Sequence, residues 1–120
     1  MPTVSDYAVV TDGTTTLQTG ADIDETFTFS VPTNVNRGQR AVATWRLEVE
    51  GPPQSLAWNL SINGTQLVGF THSSDRFAAL QEVFQGSILQ AGNNNATVEI
   101  TGGSGRIEFS DFVVHFQVDV

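Results

Sequence analysis

With 120 residues and no cysteine, the chain is long enough for one domain with one core, and it cannot form disulfides or cysteine-ligated metal centres. Thirteen acidic residues face five arginines and no lysine, and the formal charge of −8 argues against binding to nucleic acid or to anionic membranes. No segment approaches the roughly 20 apolar residues that span a bilayer, so membrane insertion is not expected.

The first quarter of the chain begins with weak strand signals and ends with a strong one. Residues 7–10 and 14–19 are expected to form a weakly defined pair of strands around Asp12-Gly13. Residues 26–31 (TFTFSV) alternate strictly, with both phenylalanines on one face. This pattern indicates a half-buried strand.

The clearest alternation lies in the middle of the chain. Residues 41–50 place Trp45 and several aliphatic side chains on one face and charged side chains on the other, and this strand is expected to end at Gly51-Pro52-Pro53. Residues 56–62 alternate in the same way, with Trp58 on the apolar face. Both tryptophans are therefore predicted to lie in the core, where no sugar could stack on them.

A hairpin is predicted immediately after this strand. Asn63-Gly64 is a strong turn signal, so residues 65–70 are expected to return antiparallel to residues 56–62. Residues 78–84 fit both a strand and a helix, and we favour a strand because the flanking segments are β. Residues 87–91 indicate a short helical turn.

The C-terminal part contains a change in the alternation. Residues 96–101 and 107–120 predict strands on either side of a flexible turn at residues 102–105. The apolar parity shifts by one residue within the second of these strands, which predicts a β-bulge near Ser110-Asp111.

The whole chain thus contains eight or nine short strands and at most one short helical turn, which predicts a single all-β domain over residues 1–120. Such spacing is typical of an antiparallel β-sandwich of the jelly-roll type.

Residues 58–64 (WNLSING) resemble the strand and Asn-Gly element of galactose-binding-like jelly rolls, and residues 88–94 (ILQAGNN) with the following strand are similar to their leucine-pair and Gly-x-Asn element. The resemblance extends over residues 40–120 and implies that fold. Many members of the fold bind glycans and others are structural modules, and no binding residue is carried over.

Two groups of side chains are candidates for ligand binding. Asp22, Asp24 and Glu25 could converge on a Ca²⁺ ion, although a solvated acidic turn would show the same composition. Apart from this Ca²⁺, no cofactor is expected.

The second group is the polar segment that contains His72, Asp75 and Arg76, which has directional hydrogen-bonding groups for a sugar or a protein partner. Tyr7 is the best candidate for an exposed aromatic side chain. Adjacent Ser, His and Asp types do not establish a catalytic triad, so no catalytic residue is assigned and an enzyme is not expected.

The preferred functional hypothesis is a structural or decoration subunit of a larger assembly, such as a virion or a surface filament, with protein subunits or further copies of itself as partners. The alternative is a carbohydrate-binding module. Residues 4–10 and 112–120 carry few charges, so they should either pair with each other or meet a neighbouring subunit.

The absence of lysine suits a halophilic source. The first residues lack the pattern of a signal peptide, and the localisation is left open between a virion and an extracellular assembly.

Overall fold

Six antiparallel strands make up most of residues 2–120, the part of the chain that the computed structural model describes. They are β1 (Thr3–Gln18), β2 (Asp24–Val31), β3 (Arg40–Ile62), β4 (Thr65–His72), β5 (Arg76–Gln85) and β6 (Gly92–Asp119), and a 3-10 turn lies at Gly86–Ile88. The all-β class and the short helical turn are confirmed. Residues 2–120 contain no helix that is long and apolar enough to cross a membrane.

Two of the strands, β3 and β6, run through both layers of a sandwich. The front sheet has the order β1, the second half of β6, the first half of β3, and β5. The back sheet has the order β2, the first half of β6, the second half of β3, and β4. Because each long strand contributes a segment to each sheet, the six strands form eight sheet segments, within the predicted number.

The long strands change sheets at two bends that lie against each other. In β3, positive φ angles occur at Gly51 (+122°) and Ser55 (+46°), and in β6 at Gly103 (+73°) and Gly105 (+144°). A β-carbon at position 103 would collide with the carbonyl oxygen of Ser55, so only glycine fits there. Two expectations were therefore wrong. The strand does not end at Gly51-Pro52-Pro53, and residues 102–105 are not a free turn, because prolines and glycines here redirect paired strands.

The two sheets enclose an aromatic core. The rings of Trp45 from the front sheet and Trp58 from the back sheet are perpendicular with centroids 6.3 Å apart, and only 2% and 1% of these residues is exposed. Phe109 contacts both indoles, and Phe27 of β2 reaches across to Phe109 at 6.5 Å. The prediction that both tryptophans are buried is confirmed.

Local turn chemistry also follows the sequence. Asn63 and Gly64 have φ angles of +50° and +82° and join Ile62 to Thr65 in a two-residue hairpin. Residues 78–84 lie within β5, so the strand is confirmed. Asp111 has a φ of +52° at a register shift between β6 and its neighbours, which confirms the predicted bulge.

The N-terminal segment differs from the prediction. Residues 7–10 and 14–19 do not pair with each other, because β1 is one strand with an irregularity around residues 10–13 and pairs along β6. This pairing runs from Thr3 opposite Asp119 to Gln18 opposite Arg106. The weakly charged ends of the chain therefore pair with each other, which is one of the two arrangements expected for them.

Candidate functional site

The outer face of the front sheet carries the candidate site. Alternation along β3 turns Trp45 and Leu47 inward, so Arg46 and Glu48 project outward. The register of the sheet then places Phe77 of β5 on one side of Glu48 and Glu108 of β6 on its other side. Three strands that are distant in sequence thus bring an aromatic ring and two carboxylates together.

These side chains surround an open hollow of about 270 Å³. Phe77 is 66% exposed, and the guanidinium carbon of Arg46 lies 5.1 Å from the centroid of its ring. Arg46 also approaches the carboxylate of Asp111 at 4.0 Å. The cation–π contact restrains an exposed ring that would otherwise be free to rotate. The hollow is lined by Thr14, Arg46, Leu47, Glu48, Phe77, Glu108, Ser110 and Asp111.

Arg106 neutralises some of the carboxylates in and beside the hollow but not Glu48. Arg106 bridges Glu50 at 3.2 Å and Glu108 at 2.7 Å. Loss of hydration raises the pKa of Glu48, and the negative charges of Glu50 and Glu108, with a hydrogen bond to Glu108, raise it further. Glu48 therefore keeps its proton more readily than a free glutamic acid does.

Two further hollows adjoin the first one, and the three together are here called the front groove. One of about 220 Å³ shares Glu48 and Phe77 with it and is also lined by Asp75 and Arg76. The other, of about 280 Å³, shares Arg46 and Asp111 and extends the groove past Thr44, Ala79 and Gln81. The front groove therefore runs lengthwise over the front sheet.

Of the ligand residues predicted in the segment from His72 to Arg76, the structure exposes two and buries one. Asp75 and Arg76 are exposed and line the front groove beside Phe77. His72 was wrongly placed at the surface. It ends β4, is 7% exposed, and its Nε2 accepts a hydrogen bond from the indole Nε1–H of Trp58 at 2.9 Å.

The environment of His72 favours its neutral form. Burial lowers the pKa of its imidazole, and the positive charge of Arg76 lowers it further. Because Nε2 accepts the hydrogen bond from Trp58, the ring proton belongs on Nδ1. His72 is thus a polar member of the core and takes no part in the front groove.

Tyr7 is exposed, as expected, at 63% of its surface. It lies on β1 opposite His115, and the two rings are 6.3 Å apart and tilted by 42°. It shares the outer face of the front sheet with Phe77 but lies outside the three hollows. A role of Tyr7 in binding stays a prediction.

The acidic residues proposed for Ca²⁺ are not assembled into a site. Asp24 and Glu25 are consecutive residues of β2, opposite Glu99 and Val98, and consecutive strand residues project to opposite faces. In the described part of the chain, no three His, Cys, Asp or Glu side chains converge as a metal site requires. The arrangement of Asp22, Asp24 and Glu25 therefore does not support the calcium prediction.

Sequence reasoning did not identify Phe77 as a site residue. The signal was nevertheless present, because Leu80 and Phe84 of β5 share the inward parity, and Phe77 has the opposite one. A strand with this parity exposes Phe77, whereas the helical alternative would have placed all three on one side.

No family model and no curated protein matches the chain. Solved structures match its fold, among them dimeric latent PorU from Porphyromonas gingivalis, at 9% identity and a TM-score of 0.76 over 99% of this chain. A beta-porphyranase of glycoside hydrolase family 86 from the human gut bacterium Bacteroides plebeius matches 97% of it, at 16% identity and a TM-score of 0.65. The chain spans only 13% and 21% of these two proteins.

A third similar structure is a separate domain of comparable size. It is the CBM36-1 domain of a multidomain xylanase from the hindgut metagenome of Trinervitermes trinervoides, with 12% identity and a TM-score of 0.54 over 98% of this chain and 100% of that domain. At such identities the likeness establishes the fold. The chain has a jelly-roll β-sandwich fold, as the sequence resemblance implied.

Proposed function

We propose that the chain is a carbohydrate-binding module that holds an uncharged glycan in the front groove. The observation that carries this proposal is the exposed ring of Phe77, which Arg46 restrains from one side and which hydrogen-bonding side chains surround. A flat ring offers an apolar platform to the C–H face of a sugar, and neighbouring carboxylate, guanidinium and hydroxyl groups can pair with its hydroxyls. Preorganised groups of both kinds are what a glycan site needs.

The charge of the front groove favours neutral sugars. Five carboxylates line it, from Glu48, Glu50, Asp75, Glu108 and Asp111, against the guanidinium groups of Arg46 and Arg76 in the lining and of Arg106, which bridges Glu50 and Glu108. A sulfated or uronate polysaccharide would bring further negative charge to this surface and to a chain of charge −8. We therefore expect neutral polysaccharides such as xylan or agarose to bind and alginate to bind poorly.

Two carboxylates of the front groove are placed side by side by strand pairing. Glu48 and Glu108 are direct partners in the pairing of β3 with β6, and Arg106 holds the carboxylate of Glu108 at 2.7 Å. Neighbouring carboxylates can accept hydrogen bonds from the hydroxyl groups of one sugar. This pair therefore supports binding of a glycan.

Two further observations support the glycan proposal over a subunit of an assembly. Two of the similar structures belong to proteins named for action on glycans, a xylanase and a beta-porphyranase. In addition, residues 4–10 and 112–120, for which a contact with a neighbouring subunit was one of two expectations, pair with each other within the chain.

Isothermal titration with soluble xylan, agarose fragments and alginate tests the proposal. The variant Phe77→Ala removes the platform and should weaken binding of the preferred neutral glycan by about tenfold, as loss of a central aromatic contact does. Ile23→Ala is the matched control, because Ile23 is an exposed apolar residue next to β2 and distant from the front groove. The proposal fails if no neutral glycan binds, if Phe77→Ala binds like the wild type, or if sugar fragments accumulate.

A further inference from the structure

The outer face of the front sheet carries a second exposed aromatic ring, and its position relative to Phe77 is set by strand register. Tyr7 pairs with His115, His115 with Val42, and Val42 with Val83, so these four residues form one row across the sheet. Phe77 belongs to the row of Glu48, six residues further along β3. At a rise of roughly 3.3 Å per residue, the two rings are about 20 Å apart along the strands, and because β1 and β5 are the two edges of the front sheet, three strand spacings of about 4.8 Å also separate them across it.

The surface between the two rings becomes less charged toward Tyr7. Arg46 and Asp111 lie nearer the Phe77 end. The row next to Tyr7 consists of two valines and two uncharged polar residues, Val9, Val113, Thr44 and Gln81. Thr44 and Gln81 also line one end of the front groove, together with Asp111. The carboxylate-rich surface at Phe77 is therefore followed by an uncharged row beside Tyr7.

This surface offers both apolar and hydrogen-bonding groups to a ligand. In the two rows nearest Tyr7, Val9 pairs with Val113 and Val42 with Val83, and Tyr7, His115, Thr44 and Gln81 supply the polar groups. A second copy of the protein would bring another net charge of −8, which opposes self-association. An uncharged chain with both C–H faces and hydroxyl groups matches each part of the surface.

We infer that Tyr7 is a second stacking platform, and that the ligand is an unbranched neutral polysaccharide lying diagonally across the front sheet from Phe77 to Tyr7. This inference rests on the proposed glycan function and adds to it the length and direction of the ligand. A short oligosaccharide occupies the Phe77 end alone, whereas a longer one reaches both rings.

Affinities for xylo- and agaro-oligosaccharides from the disaccharide to the hexasaccharide test the inference. Wild-type affinity should rise with length until both rings are covered. Tyr7→Ala should leave the binding of short oligosaccharides unchanged and weaken the longest by roughly two- to tenfold, the range of one aromatic contact. Tyr7→Phe should retain the wild-type dependence on length, and Val4→Ala, another exposed position on β1, serves as the control.

The possible outcomes separate this inference from the proposed function. Glycan binding that depends on Phe77 but keeps its full length dependence in Tyr7→Ala overturns the second platform alone. No binding by the wild type overturns both. A dimer in light scattering that Tyr7→Ala dissociates would identify the Tyr7 surface as a contact between copies, and the inference would be wrong.

Discussion

Trp45 and Trp58 allow the hydrogen bond to His72 to be measured against a control from the same core. The two indoles contact each other, and both are almost completely buried. The Nε1–H of Trp58 donates to His72, whereas within residues 2–120 the Nε1–H of Trp45 has no partner. Replacing either residue by phenylalanine removes a similar volume, but only Trp58→Phe leaves a buried acceptor unpaired.

The expected difference follows from this contrast. A buried polar group that loses its partner costs about 1–3 kcal/mol. The loss of packing volume affects both variants and cancels in their comparison, so Trp58→Phe should lower the free energy of unfolding by about 1–3 kcal/mol more than Trp45→Phe does. Trp45→Phe also removes an unsatisfied N–H, which favours the same sign of difference.

Urea unfolding followed by circular dichroism above pH 6.5, where His72 is neutral, measures both variants. The variant His72→Phe and the double variant with Trp58→Phe complete a double-mutant cycle, in which removing both partners should recover part of the loss. Equal destabilisation by Trp45→Phe and Trp58→Phe, or a cycle without coupling, would show that the hydrogen bond does not contribute to stability.

Two further predictions concern solution conditions. The pKa of His72 is lower in the folded state than in the unfolded chain, so on acidification the unfolded chain takes up this proton at a higher pH. The contribution of His72 to the free energy of unfolding should therefore be constant above about pH 6.5 and fall as the pH drops below that value. Urea midpoints of the wild type should show this fall and those of His72→Gln should not, whereas the raised pKa of Glu48 acts in the opposite direction at lower pH and is common to both proteins. The charge of −8 without lysine predicts that the thermal midpoint rises with sodium chloride concentration as repulsion is screened, and a flat or falling midpoint would contradict this.

The core could be predicted from the sequence because it depends on a two-residue period that any single strand displays. Trp45 and Trp58 each follow the parity of their own segment, and the Asn63-Gly64 turn needs no information from elsewhere. The bends in β3 and β6 could not be predicted in the same way. Proline and glycine indicate where regular pairing is interrupted, but whether the chain ends a strand or redirects it depends on the bend that packs against it.

The candidate site was harder to predict, because its residues become neighbours only through the register in which distant strands pair. Phe77, Glu48 and Glu108 become neighbours only when β5, β3 and β6 are paired in the observed alignment. The burial of His72 likewise depends on Trp58, whose indole supplies the hydrogen bond that a polar group in the core requires. The exposure of Asp75 and Arg76 could be predicted, since a polar segment at the surface requires no distant partner, whereas their role in binding stays a prediction.

The passage of β3 and β6 through both sheets links the stability of the front groove to the back of the molecule. The central strands β3 and β6 continue from one sheet into the other, so neither sheet can open as an independent unit of local unfolding. A ligand that binds only the folded front sheet must therefore slow the opening of back-sheet amides that it never touches. Residues 56–62 of β3 would report occupancy of a groove on the opposite face.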